Sequence, residues 1–136
     1  MGRLYLEVVT PERVLVSQEV DAVIAPGTEG EFGVLPGHVL FLSGIVPGEL
    51  RYTSGSAESS MVVTTGFAEV SNDKVSVLVD AAEKPSEIDR ERARRAIERA
   101  RARLAKERDS KDIDFTRAEL ALKRAIARVR AVDKAL

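Results

Sequence analysis

Glu83-Lys84-Pro85-Ser86-Glu87-Ile88-Asp89-Arg90-Glu91-Arg92-Ala93 divides the chain into two stretches of different character. Before it the sequence is rich in valine, glycine and threonine, with turn residues every few positions. After Pro85 there is no further Gly or Pro, and Ala, Arg, Glu and Leu dominate. Ser86 reads as a helix N-cap, with Asp89 three residues on as a shorter-armed capping-box partner. Glu87, Asp89 and Glu91 add negative charge where a helix dipole favours it. One short segment is therefore a domain boundary, a helix start and a cluster of ionisable groups. The plainer alternative is a linker followed by a well-capped helix, and the sequence on either side decides between them.

Upstream, the chain reads as short strands. Leu4, Leu6 and Val8 alternate with outward positions in a strand that ends at Thr10-Pro11, and Val14 to Val16 and Val20 to Ala25 are two more. Pro26-Gly27-Thr28-Glu29-Gly30 is a turn of the kind glycine favours. Leu40 to Ile45, Glu49 to Thr53, Met61 to Thr65, Phe67 to Val70 and Val75 to Val79 continue the series. Ser71-Asn72-Asp73 supplies a hairpin turn between the last two. Strands this short, with no helical period between them, predict an antiparallel sandwich or barrel.

The string Gly27 to His38, G-T-E-G-E-F-G-V-L-P-G-H, is the most distinctive in this half. Its glycines invite a phosphate-loop reading, but no Lys-Ser/Thr follows and no helix N-terminus is at hand to receive an anion. Glycines that permit positive φ and close strand approach at a sheet edge are the structural reading. His38 is the sole histidine and has no Ser or Cys nucleophile motif around it. That favours a hydrogen-bonded structural role over catalysis.

Downstream, Ala93, Ala96, Ile97, Ala100 and Leu104 recur at steps of three and four between Ser86 and about Arg108. They form a narrow apolar stripe on a helix, surrounded by Arg92, Arg95, Glu98, Arg99 and Arg103. Asp109-Ser110-Lys111 breaks the pattern. Asp112 or Asp114 is then placed to cap a second helix with the stripe Ile113, Ala118, Ala121, Leu122, Ala125, Val129 and Val132. Two amphipathic helices joined by a short connector make an antiparallel hairpin. An alanine seam packs closely but buries little area, so at ~25 cal/mol per Å² it supplies modest stability. The hairpin is expected to be conditional: stable when docked or bound, and easily rearranged otherwise. Drawn out as one helix from Ser86 to Lys134 it would reach roughly 70 Å at ~1.5 Å per residue.

The excess of arginine exceeds what a solvated face requires, since lysine and glutamate serve solubility as well. Arg124 and Arg128 share a face of the second helix. Antiparallel packing would bring that face toward Asp89 and Arg92, and arginine pairs beside a helix N-terminus suit a polyphosphate. The fold class is thus α+β, an N-terminal antiparallel β-sandwich over 1–84 followed by a C-terminal antiparallel two-helix hairpin over 85–136.

Composition bounds the chemistry. Aromatic residues at 4% with no Trp argue against an aromatic-lined pocket or a base-stacking surface. The absence of Cys removes disulfides, thiolate zinc sites and cysteine nucleophiles. The start lacks an apolar leader and no run approaches the ~18 apolar residues of a membrane span, so the expectation is a soluble cytosolic chain. The net charge of -1 conceals a division. Up to Ala82 four basic residues face eleven acidic ones, a balance of -7; from Glu83 onward seventeen face eleven, a balance of +6. Such halves can attract each other, and the basic one can seek an acidic partner.

The string Gly30 to His38, G-E-F-G-V-L-P-G-H, preceded by Val8-Val9-Thr10-Pro11-Glu12, resembles the epsilon subunit of bacterial F-type ATP synthases. Ile88-Asp89 with Arg92-Ala93, and D-I-D-F-T-R-A-E-L-A-L-K-R-A over Asp112 to Ala125, extend the likeness in order along essentially the whole chain. The resemblance implies a non-catalytic central-stalk subunit of a proton-translocating synthase, peripheral on the cytoplasmic face of the membrane. Its sandwich would sit at the stalk foot against the gamma subunit and the c-ring. Its hairpin would either fold on the sandwich or extend along gamma into the head of alpha and beta subunits. Extended, it would meet an acidic loop of beta and block ATP hydrolysis.

No cofactor is required by this likeness, but ATP is implied as a regulatory ligand that holds the hairpin down, as in some bacilli. By motif matching, Glu83, Ile88, Asp89, Arg92, Ala93, Arg124 and Arg128 would carry that nucleotide. No nucleic acid and no direct membrane insertion are implied. Two departures stand out. Leu40 lies two residues after His38, where the family usually has Pro, which would restrict the loop. The connector at Asp109 to Lys111 is slightly longer, which bears on the register across the hairpin.

Two other classes compete. A stand-alone ATP-binding sensor would show affinity in the isolated chain. A nucleic-acid-binding basic hairpin predicts steeply salt-dependent binding, against which the interspersed acids and missing stacking aromatics weigh. No general acid/base pair, nucleophile or metal cluster marks an enzyme.

Overall fold

The computed structural model describes residues 2–37, 40–107 and 113–135. His38, the connector at 109–111 and Asp112 lie outside the described residues, as do the side chains of Ile113 and Asp114. The chain forms two compact units, Met1–Lys84 and Pro85–Leu136.

The first unit is built from β1 (Leu4–Val9), β2 (Val14–Val20), β3 (Ala22–Gly27), β4 (Gly30–Val34), β5 (Phe41–Ile45), β6 (Gly48–Ser54), β7 (Ala57–Val63), β8 (Gly66–Ser71), β9 (Lys74–Val79) and β10 (Ala82–Glu83). Neighbouring strands run in the order β10-β7-β6-β3-β5-β8-β9-β1-β2, and β4 pairs with β3 alone. The path turns at β3. Ala22 to Ile24 pair with β6, whereas Gly27 pairs with Ile45 of β5. Pro26 sits where the partner changes, a place that suits a residue with no N–H to give to the ladder. Its carbonyl still accepts the Val46 N–H at 3.0 Å. Because the sheet bends there, β2 comes against β6 and the inner faces enclose one core.

Alternation fills that core. Leu4, Leu6 and Val8 of β1, Ala68 and Val70 of β8, and Val75, Val77 and Val79 of β9 point inward, joined by Leu50 and Met61. Phe32 and Phe41 meet edge to face, with ring centroids 5.0 Å apart, at the margin of the cluster. The β8–β9 turn forms as its sequence indicates. Asn72 and Asp73 take φ of 51° and 60°, as a two-residue hairpin loop of right-handed twist requires. At Gly66 a Cβ would fall 2.0 Å from the Leu78 carbonyl oxygen, so only glycine fits beside β9. The β2–β3 corner is tied to the β6–β7 turn through Asp21, whose carboxylate accepts the Gly55 N–H at 2.6 Å and the Arg3 guanidinium at 3.1 Å. These contacts hold the Asp21 carboxyl below its ordinary value, the Gly55 hydrogen bond first and the Arg3 charge after it.

The expected strand Val20 to Ala25 is divided at Asp21 between the end of β2 and the start of β3, and three further features differ from the sequence-based expectation. The glycine-rich string contains a strand, β4, which runs along the free edge of β3 from Val23↔Val34 to Gly27↔Gly30. β7 begins at Ala57, earlier than its apolar residues suggest, because Ala57 to Ser60 pair with β6 through backbone alone while staying exposed or half-exposed. And β1 pairs with β9 in parallel. Strands so far apart in sequence are not constrained by a tight turn to run antiparallel.

The second unit is a single 3-10 turn at Pro85–Glu87, then α1 (Arg90–Glu107) and α2 (Ile113–Ala135), which pack on each other. Buried Ala93 and Ala100 on α1 and Ala118, Ala125 and Ala131 on α2 line the seam, with Ile97, Leu104, Leu122, Val129 and Val132 half-buried around them. The helix starts later than Ser86. The Ile88 N–H closes the 3-10 turn on the Pro85 carbonyl at 3.2 Å, and Asp89 is the cap. Its carboxylate accepts the Arg92 N–H at 3.1 Å while its carbonyl takes the Ala93 N–H at 3.0 Å. Asp89 is the N-cap, accepting the Arg92 N–H, which leaves Ser86 outside the helix.

Candidate functional site

Two surfaces carry the side chains that can do something. The first is the arginine-bearing helix pair. Its register follows from one contact, Arg90 Nε to Asp133 Oδ1 at 2.8 Å, which sets the start of α1 level with the end of α2. Asp133 holds the Arg90 guanidinium more firmly protonated than usual, through that hydrogen bond first and its charge second. The helices are therefore antiparallel. Arg128, five residues before Asp133, lies about 7.5 Å along the axis from this end, level with Arg95. Arg124 lies about 13.5 Å along it, level with Arg99.

Of the residues singled out by sequence, Ile88, Asp89, Arg92 and Ala93 gather at the start of α1. Their tasks there differ. The Asp89 carboxylate is engaged as the cap, Ala93 is buried in the seam, Ile88 is half-buried and Arg92 is exposed. Arg124 and Arg128 are half-buried one turn apart on α2. Glu83 belongs to the other unit, on β10 opposite Val62 of β7. Sequence reasoning missed the Arg90–Asp133 contact. A cation in the first turn of one helix and an anion in the last turn of the next oppose both helix dipoles, and that was the signal.

The second surface is the outer face of the sandwich. Residues directly opposite each other on paired strands share a face, so Gly44, Phe67, Leu78 and Val9 form one row across β5, β8, β9 and β1, and exposed Val14 continues it on β2 beyond the register shift at Val8/Val9. At ~4.8 Å per strand the row is about 19 Å long. Phe67 is 47% exposed, Leu78 42% and Val14 58%. Leu42, 69% exposed and opposite Glu69, adds to it one row away, and Leu40 is exposed beside it. Phe67, Leu78, Val9 and Val14 place apolar side chains in line across four strands, the pattern of a face suited to being covered by another molecule. The signal was present in Val77-Leu78-Val79, an unbroken apolar run where alternation calls for a polar residue.

Among the described residues no group of three or more His, Cys, Asp or Glu is placed to hold a metal, and no helix is long and apolar enough to cross a membrane. What the fold and the two surfaces define is a β-sandwich protein with an appended arginine-rich helix pair, built to be bound. Residues 3–85 match the family described as ATP synthase, Delta/Epsilon chain, beta-sandwich domain, and residues 86–133 its long alpha-helix domain. The chain belongs to the ATP synthase delta/epsilon chain family. It is 49% identical over 132 residues to the ATP synthase epsilon chain of Syntrophobacter fumaroxidans, covering 97% of each chain. Its identity to the epsilon chain of Nitratidesulfovibrio vulgaris is also 49%, over 127 residues and 93% of each. Among solved structures it is similar to a chain of the Euglena gracilis mitochondrial ATP synthase (OSCP/F1/c-ring), with a TM-score of 0.80 and 27% identity over 99% of this chain and 82% of that one.

Proposed function

We propose that this chain is the non-catalytic central-stalk subunit of a proton-translocating F-type ATP synthase, peripheral on the cytoplasmic face of the membrane. The observation that carries the proposal is the apolar row on the outer face of the sandwich, in a chain of this family. That face supplies the seat for the gamma subunit, and the sandwich also meets the c-ring at the stalk foot. The unit over 85–136 is the regulatory part. Its arginine-rich helices separate from the folded pair, extend along gamma toward the alpha and beta subunits, and there inhibit ATP hydrolysis. The small-residue seam supports this reading, because little buried area has to be given up when the helices part.

ATP is the regulatory ligand in this scheme, held within the helix-pair unit by Ile88, Asp89, Arg92, Ala93, Arg124 and Arg128. A ligand shifts such an equilibrium only as far as it prefers the closed form. Titration of the full chain with ATP tests this arm. Arg92→Ala or Arg124→Ala should weaken binding about tenfold, the loss of one charge-assisted contact to a phosphate. Unchanged affinity in both variants removes the nucleotide from the scheme and leaves the mechanical role.

A further inference from the structure

The pair formed by Arg90 and Asp133 is placed against the grain of both helices. Arg90 opens α1, where the exposed N–H groups make a positive end that favours anions. Asp133 lies in the last turn of α2, where the unsatisfied carbonyls make a negative end that favours cations. Each residue therefore destabilises its own helix when that helix stands alone. In the antiparallel pair the start of α1 and the end of α2 lie side by side, so each charge meets the opposite helix end as well as its partner. The 2.8 Å contact runs across the hairpin although Arg130 lies one turn back on Asp133's own helix, and no ion pair joins those two. Asp133 also keeps the Arg90 guanidinium above its ordinary range, as a pair formed in the folded hairpin must.

We propose that Arg90 and Asp133 are a state-selective latch, a charge pair that favours the closed helix pair because each partner opposes the dipole of its own helix once the two separate. This rests on the movable hairpin proposed above. An ordinary surface pair would reward the closed state alone. The latch also penalises the open one, where a continuous helix puts an arginine at its start and an aspartate at its end. Two misplaced charges thereby set the balance in a seam of small side chains.

The test measures the distance between α1 and α2 in the full chain within the assembled synthase. The chain has no native cysteine, so Arg95→Cys and Arg130→Cys, both exposed and outside the latch, accept a spin-label pair. Closed, the labels stay within about 20 Å; in one continuous helix they stand about 52 Å apart. Arg90→Gln and Asp133→Asn should each raise the ratio of open to closed about three- to fivefold. The reversed pair, Arg90→Asp with Asp133→Arg, is decisive. It restores the contact but gives both helix ends the charge they favour, so the ratio should stay at or above that of the single variants. A return to the original ratio in the reversed pair reveals an ordinary ion pair and overturns the proposal. An open population unchanged by all variants overturns the latch alone. A single short distance in every variant overturns the movable hairpin, and the latch with it.

Discussion

Replacing Phe67 and Leu78 together by serine should weaken binding of the chain to gamma while leaving the sandwich folded. The two side chains lie opposite each other on β8 and β9 and are 47% and 42% exposed. Phenylalanine offers ~200 Å² of surface, so its exposed part is roughly 95 Å², worth about 2.4 kcal/mol at ~25 cal/mol per Å². The exposed part of Leu78 adds about 1 kcal/mol on the same scale. Rim water and imperfect complementarity reduce the sum, which leaves a ten- to hundredfold rise in Kd. The assay is calorimetric titration of gamma with the full chain, run beside thermal melting of each variant. More than half of each side chain already packs on the sandwich, so the melting curves should also fall, by about 1–3 kcal/mol, with each variant still folded at the assay temperature. Unchanged affinity in the folded variant would refute the assignment of this face to gamma.

Gly66→Ala should damage the sandwich itself, because the new Cβ would lie 2.0 Å from the Leu78 carbonyl oxygen and 2.7 Å from the Val79 Cα, both backbone atoms that cannot swing aside. The cost is about 2 kcal/mol or more, read as a fall in Tm of roughly 10 °C for a unit of this size. Asp21 makes stability depend on pH in a defined direction. Its carboxyl is lowered from 3.8, so its contribution is full above that value and is lost as pH falls through the lowered one. Asp21→Asn should therefore melt below the parent chain at pH 7, and the gap should close in the acid range below about pH 4. A gap that persists unchanged to pH 2 would deny the carboxylate that role.

Much of this was legible in the residues. Leu4, Leu6 and Val8, and likewise Val75, Val77 and Val79, announce their strands by alternation, and Asn72-Asp73 announces its turn. The Ala93 to Leu104 stripe announces a helix and its seam. The remaining features depend on partners that the local sequence does not name. Gly30 to Val34 forms β4 because the edge of β3 is open beside it, and nothing in G-E-F-G-V states that. The parallel pairing of Tyr5 with Lys74 joins strands from opposite ends of the unit. Ser86 looked like a cap because Ser-x-x-Asp has the right spacing, yet Asp89 caps α1 alone. The outward row was harder to find: alternation of Val75, Val77 and Val79 places Leu78 outward, but its alignment with Phe67 and Val9 depends on strand pairing that the local sequence does not state. For the helix pair, Arg124 and Arg128 could be placed on one face by spacing. Their level relative to Arg92 needed the Arg90–Asp133 contact.

The proposed division of labour is between a sandwich that seats the chain and a helix pair that regulates. It is tested most directly by the ATP hydrolysis rate of the assembled catalytic head and gamma, reconstituted with the full chain or with a chain ending at Lys84, where the first compact unit ends. The full chain should join the complex and lower the rate, and the shortened chain should join it and leave the rate at its uninhibited level. Equal inhibition by both chains, or failure of the shortened one to join, would contradict the account.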